Sequence, residues 1–403
     1  MEGVRVHPTQ QEERIITLDV IRGFALLGIL LVNMQFFVAP KLFLMLSGVT
    51  LFEGAISNTA DWLITIFATG KFFTTFSFLF GLGFFLFMER VSAKGLSVGR
   101  LYSRRLSFLL MLGLIHIFIF WSGDILLNYA IAGFLLLLFR KSSIEKIRKW
   151  AIGIFSVVVF LTGFFTFLSS LMENVLGEEY APMNDWASLV EQSVIVFQNG
   201  NFSEILAFRL TEEIPLILPN FIITIPMVLF IFLIGLYVGK KGVLMNISGH
   251  LGWIRKVWKK SFIYGAVLTF VYVILKAELF IVPFYLHEAS LEVLSLISGL
   301  VVSFFYISSI TLLCQQRQWK VRLKFLAPVG QMALTNYLLQ TVICLMLFYG
   351  YGLGLYGKVA PEVGILITFV IFTAQVFLSK FWMARYKYGP LEHVWRAFTY
   401  KGV

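Results

Sequence analysis

Charge is scarce in this chain. Asp, Glu, Lys and Arg make up 14% of its 403 residues, against 59% hydrophobic and 17% aromatic, a balance that excludes an ordinary soluble domain. Cysteine is scarcer still. Cys314 and Cys344 stand in no CxxC or Cys/His pattern and fall in apolar stretches, which argues against a disulfide framework or a zinc site and leaves them as packing residues. No low-complexity tract, proline-rich linker or fixed-period repeat divides the sequence, so residues 1–403 read as a single integral membrane domain. No glycine loop follows a strand-like run: GFALLG, GLGFF and GYGLGLYG are small-residue patterns that let helices approach. The first apolar run ends in FFVAPK without a small-x-small cleavage site, which points to a retained signal anchor.

Long apolar runs are what the chain has in quantity. A bilayer core about 30 Å thick takes about 20 apolar residues per crossing helix. Stretches near 17–39, 62–88, 105–122, 124–140, 150–172, 214–239, 261–282, 291–314, 327–349 and 362–384 meet that requirement. The expected fold is therefore all-α, a polytopic transmembrane helix bundle of about ten helices. The net charge of +11 raises nucleic acid as a partner, but its distribution points elsewhere. Alternating the loops puts 27 Lys and Arg on one side and four on the other, which predicts a cell-membrane protein with both termini in the cytoplasm. The basic loops then face lipid headgroups, not nucleic acid. The loop 173–213 is acidic and expected outside. Within it, Asp185 to Phe197 spaces Trp186, Leu189, Val190, Val194 and Phe197 as a helix lying in the outer interface. The tail 386–403, with Pro390 at a helix start and Trp395 as anchor, reads as a cytoplasmic surface helix.

In such a chain the polar groups inside spans carry the information, because each needs a partner or a hydrated cavity. Asp19 and Arg22 can pair at the inner end of the first helix, with Asn33 about 16 Å further along the same face. Arg105 and His116 repeat that spacing in the third helix. Lys71 falls about 13 Å below the outer boundary of the second. Asn336 and Gln340 reach a similar depth on the ninth, and Asp124 caps the hairpin between the third and fourth. For the amides and His116 the plainer reading is helix-to-helix hydrogen bonding. For Asp19 with Arg22 it is an interfacial ion pair, and for Asp124 an N-cap. Lys71 resists such a reading, since a midplane ammonium needs a partner or water. The expectation is a shared polar cavity near mid-membrane, floored by arginines.

RIITLDVIRGFALLGILLVN, GKFFTTFSFLFGLGF, RRLSFLLMLGLIHIFIFWSGDILLNYAIAG, GQMALTNYLLQTVIC and KYGPLEHVWR together resemble the YeiB family of bacterial multi-pass membrane proteins. LDVIRG opening the first span is also similar to the start of transmembrane acyltransferases of the O-acetylase and heparan glucosaminide acetyltransferase type. That resemblance implies transfer of an acyl group from cytoplasmic acyl-CoA to an extracytoplasmic acceptor. It places Arg104 and Arg105 near the CoA phosphates; Arg22 and Asp19, at the same cytoplasmic level, are expected to complete that cofactor site, and Asn336, Gln340 and Tyr129 to meet the substrate. Asn33 stands where the O-acetylases carry histidine and matches the asparagine of the heparan branch, without the histidine that follows it there. Gln340 replaces the histidine of the final YLxH-like block. An amide is no general base, so His116 takes that role, oriented by Asp124, with Lys71 or Asn33 stabilising an oxyanion. A second reading keeps the cavity without the chemistry: a transporter or binding protein for a lipid or a small anionic or quinone-like ligand. A third is a membrane scaffold or sensor. Self-association into a homo-oligomer is compatible with each.

Overall fold

The computed structural model describes residues 15–176 and 186–402. Among them there are helices and turns and no strand. The first half runs through α1 (Ile16–Val38), α2 (Lys41–Ser47), α3 (Ala55–Phe67), α4 (Lys71–Ala93), α5 (Val98–Ile115), α6 (Leu126–Leu136) and α7 (Ile144–Leu176). Then come α8 (Trp186–Asn199), α9 (Phe202–Phe208), α10 (Ile214–Ile217), α11 (Phe221–Lys240), α12 (Leu251–Lys276) and α13 (Phe284–Leu313). The last part holds α14 (Arg317–Leu323), α15 (Ala327–Gln331), α16 (Ala333–Phe348), α17 (Pro361–Arg385) and α18 (Pro390–Tyr400). Local signals set several boundaries. Ser97 caps α5, an Asn201/Glu204 capping box opens α9, and proline begins α17 and α18.

Eight helical stretches among the described residues are long and apolar enough to cross a membrane, as in a multi-pass membrane protein. The other two expected spans differ. The segment 327–349 is broken at Met332, where the α14–α15 stretch meets α16 at 75°. The segment 124–140 is a short apolar helix with a closing 3-10 turn, Leu126–Phe139. It rises only about 21 Å.

Lipid tails are as apolar as leucine, so bundle helices associate through close backbone approach and polar contacts. A Cβ on Gly23 would strike the Leu326 carbonyl, and one on Gly330 the Asp19 carbonyl. These contacts press α15 onto α1 and force the chain to turn before α16. One hydrophobic core joins α1, α4, α5, α6 and α11 around Leu26, Leu82, Leu106 and Phe232. A second gathers Phe37, Trp121, Phe197, Cys344 and Phe348 at the opposite end, with Phe37 stacked on Trp121 at 4.3 Å. The hydrophobic window of α7 and that of the α12 stretch are each only 11% buried; Phe160, Phe164 and Phe270 face outward.

The expected interfacial helix packs on protein along one face. Val190, Ser193 and Phe197 of α8 are buried, and Phe197 meets Phe208, Tyr349 and Tyr356 at ring distances of 5.7, 4.9 and 5.0 Å. Its buried stripe fits those aromatics. Asp185, with 177–184 of the acidic loop and the N-terminal Arg5 and Arg14, lies outside the described residues.

Candidate functional site

A cavity of about 310 Å³ lies between α1, α4, α5, α6, α15, α16 and α18. Its mouth is polar, with Asp19, Arg22, Arg90, Arg105, Gln331, Glu392 and Arg396. Its shaft is apolar, lined by Leu26, Ile29, Phe76, Phe80 and Leu109, and Gly83 widens it because no heavy atom lies near its Cβ direction. Its blind end is formed by Ile125, Leu126, Tyr129 and Tyr337.

The mouth carboxylates are taken by protein partners. Asp19 accepts from Arg22 at 2.7 Å and from Gln331 at 3.1 Å. Glu392 reaches from α18 to the start of α16, where it accepts from the Leu334 and Thr335 amides at 2.8 and 3.1 Å and from the Thr335 hydroxyl at 2.6 Å. A carboxylate on those amides satisfies orphan donors and suits the positive helix end. Arg90 and Arg105 have no carboxylate within ion-pair distance among the described residues. The Arg105 guanidinium lies 3.7 Å over the Trp395 ring, whose indole N–H donates to the Arg105 carbonyl at 2.8 Å. Arg396 sits 4.2 Å over Tyr388. The mouth therefore carries surplus positive charge in a half-buried place, where charge acts more strongly than in water. Trp395 of the tail helix is here a wall of the cavity.

Beyond the blind end, α5 loosens into a π turn, His116–Phe120, a distortion frequent at functional positions. His116 is fully buried. Its Nδ1 lies 2.8 Å from Asp124 Oδ1 and its Nε2 lies 3.0 Å from Thr341 Oγ1. The second Asp124 oxygen accepts the Leu127 amide at 2.7 Å, which is the expected N-cap. The Tyr337 ring stands 5.5 Å from the His116 ring and separates it from the cavity. A second π turn, Arg209–Glu213, lies alongside: buried Arg209 donates to the Ile119 carbonyl at 2.9 Å and lies 3.8 Å from Glu213.

The structure thus brings together Asp19, Arg22, Arg105 and Tyr129 around one cavity, and His116 with Asp124 behind its end. Tyr129 is hydrogen-bonded to Ser77 at 2.7 Å. It does not bring the others there. Arg104 points away and donates to the Lys401 carbonyl at 2.6 Å, since adjacent helix residues face directions about 100° apart. Lys71 is the first residue of α4, and its ammonium donates to the Thr65 carbonyl at 2.9 Å, capping the end of α3. Asn33 is half-buried, away from the cavity lining. Asn336 donates to Ser379 and to the Val329 carbonyl, and Gln340 to Gln375, which donates back to the Asn336 carbonyl. That is an amide ladder holding α16 to α17. The shared pocket of Asn33, Lys71, His116 and Gln340 is therefore replaced by a cavity with other walls. Sequence reasoning missed Tyr337, Thr341, Glu392, Trp395 and Arg209; TNYLLQT did offer a signal, since 337 and 341 repeat at one helical turn.

The family described as "Protein of unknown function (DUF418)" matches residues 238–402, the part that carries Tyr337, Thr341, Glu392 and Trp395. The "Uncharacterized protein YxaH" of Bacillus subtilis (strain 168) is 33% identical over 98% of this chain and 96% of its own length. The "Uncharacterized protein YeiB" of Escherichia coli (strain K12) is 28% identical over 96% of each. No solved structure matches.

Proposed function

Because the chain belongs to the YeiB-like DUF418 family, a kinship that carries no activity with it, we propose a function from the cavity itself: an acyltransferase-like membrane protein that takes acyl-CoA at its arginine mouth. One observation supports this above the rest. Half-buried arginines, two without an acidic partner, open into an apolar shaft that ends one ring short of a buried His116–Asp124 pair. CoA suits such a mouth, because its phosphates are the anions that guanidinium groups bind most strongly. The acyl arm suits the shaft. Arg105 and His116 are about 16 Å apart along α5, so the phosphates stay outside while the thioester reaches the blind end. There His116, oriented by Asp124, is the general base that takes a proton from the attacking hydroxyl. In this reading the basic end faces the cytoplasm, as the lysine and arginine bias of the loops favours.

Equilibrium binding of radiolabelled acetyl-CoA to the detergent-purified chain tests the proposal. Saturable binding that weakens with salt and in Arg105→Gln, with release of free CoA thiol lost in His116→Ala, is the expected result. A folded protein that binds no acetyl-CoA overturns it. The closed end of the cavity favours a second reading, in which an anionic amphiphile is held without reaction. Its sign is a lipid or fatty acid that co-purifies, is displaced in Arg105→Gln and is indifferent to CoA.

A further inference from the structure

We propose that Thr341 is the residue that carries the acyl group, as an ester on its side-chain oxygen, between the CoA thioester and the final acceptor. The inference rests on the acyl-transfer reading above and adds a covalent intermediate to it. Threonines inside helices usually return their hydroxyl to the carbonyl one turn back, and several of this chain do so. Thr74, Thr75, Thr311, Thr368 and Thr399 donate to the carbonyls of Gly70, Lys71, Ile307, Gly364 and Trp395. Thr341 is buried in α16 and turns its hydroxyl to His116 instead.

The direction of that hydrogen bond follows from Asp124. An ionised carboxylate only accepts, and Asp124 accepts through both oxygens, from Leu127 and from the His116 ring. His116 Nδ1 then carries the ring proton. In the neutral ring Nε2 is bare, so the Thr341 hydroxyl is the donor across 3.0 Å. Nucleophile, base and orienting carboxylate form one line, the arrangement that activates a hydroxyl.

A second observation comes from the wall between this line and the cavity. The Tyr337 hydroxyl is buried and interacts with the backbone of Ile125. Both residues line the blind end. A carbonyl oxygen arriving there can accept from the Tyr337 O–H, the kind of donor an oxyanion needs. The ring of Tyr337 stands between the cavity and Thr341 one turn deeper, so it must shift for the thioester to reach that residue.

The steps balance without an outside oxidant. The Thr341 oxygen bonds to the thioester carbonyl carbon while its proton passes to His116 Nε2; the carbon–sulfur bond breaks and the CoA sulfur leaves with that proton as free thiol. The acceptor hydroxyl then gives its proton to Nε2 and bonds to the same carbon, the bond to the Thr341 oxygen breaks, and Thr341 recovers the proton. The apolar packing of Phe37, Trp121, Cys344 and Phe348 beyond the site limits loss of the ester to water.

The decisive experiment is exchange of radiolabelled CoA into unlabelled acetyl-CoA without acceptor, run on the full chain beside acetyl-CoA binding. Wild type and Thr341→Ser are expected to exchange. Thr341→Val, which keeps the shape and removes the hydroxyl, is expected to bind acetyl-CoA within a factor of about three while exchange falls to background. The acetyl label should map to the Thr341 peptide and survive neutral hydroxylamine, as an oxygen ester does and a Cys344 thioester does not. Exchange by Thr341→Val at the wild-type rate, label on another residue, or a wild type that binds acetyl-CoA and releases CoA to an acceptor without exchange each overturns the covalent step alone. Absence of acetyl-CoA binding overturns the acyl-transfer reading as well.

Discussion

Two faces of α16, one residue apart in sequence, do different work. Asn336 and Gln340 look toward α17 and close a ladder with Ser379 and Gln375. Tyr337 and Thr341, the next residue in each case, look toward the end of α5, where one walls the cavity and the other holds His116. Both faces are polar and buried, at the same depth. The ladder links neutral amides to one another across a helix seam. The other face joins a carboxylate, an imidazole and a hydroxyl in one directed chain, beside a void and a buried phenol. A buried polar group is thus informative through what its partner can do, not through its depth.

Four measurements test that contrast, the largest effect first. His116→Ala should lower CoA thiol release about 10²- to 10⁴-fold with acetyl-CoA binding retained; release within twofold of wild type would remove the chemical distinction between the faces. Arg105→Gln should weaken acetyl-CoA binding roughly 10- to 100-fold, the range for a lost charge-assisted hydrogen bond, and should flatten the salt dependence in a titration between low and moderate ionic strength. Glu392→Ala removes the cap that α18 places on α16 and should cost about 1 kcal/mol, read as easier unfolding in a denaturing-detergent titration. The smallest effect belongs to the ladder. Gln340→Leu with Gln375→Leu should shift that titration by less than about 1 kcal/mol, the usual scale of interhelical hydrogen bonds in bundles, and leave thiol release unchanged. A collapse of thiol release in this double variant would erase the difference between the two faces.

Much of the fold was legible because bilayer thickness imposes a length on every crossing helix, and each expected stretch is occupied by a helical element. Legibility failed where tertiary contact overrides hydropathy. The bend at Met332 depends on Gly330 meeting the Asp19 backbone, and nothing in the α8 stripe announces the packing of Phe197 on Tyr349 and Tyr356. At the site, His116 with Asp124 could be read because eight residues across a hairpin tip return the chain to its own level. Lys71 was misread because the break at Gly70 moved it from mid-helix to a helix start, where a carbonyl end supplies its partner. Thr341 was invisible for a different reason. Threonine is unremarkable in any apolar helix, and the direction of its hydroxyl depends on a side chain 225 positions away.

The mouth of the cavity is walled by α1 at one end of the described chain and α18 at the other, with Asp19 and Arg22 facing Trp395 and Arg396. Its assembly therefore waits on α18: during translation, a nascent chain that has inserted everything up to α17 still lacks the surface that stacks on Arg105. Affinity for an anionic ligand should accordingly appear late and all at once, and a split version expressed as two fragments should regain it only when the halves find each other in the bilayer.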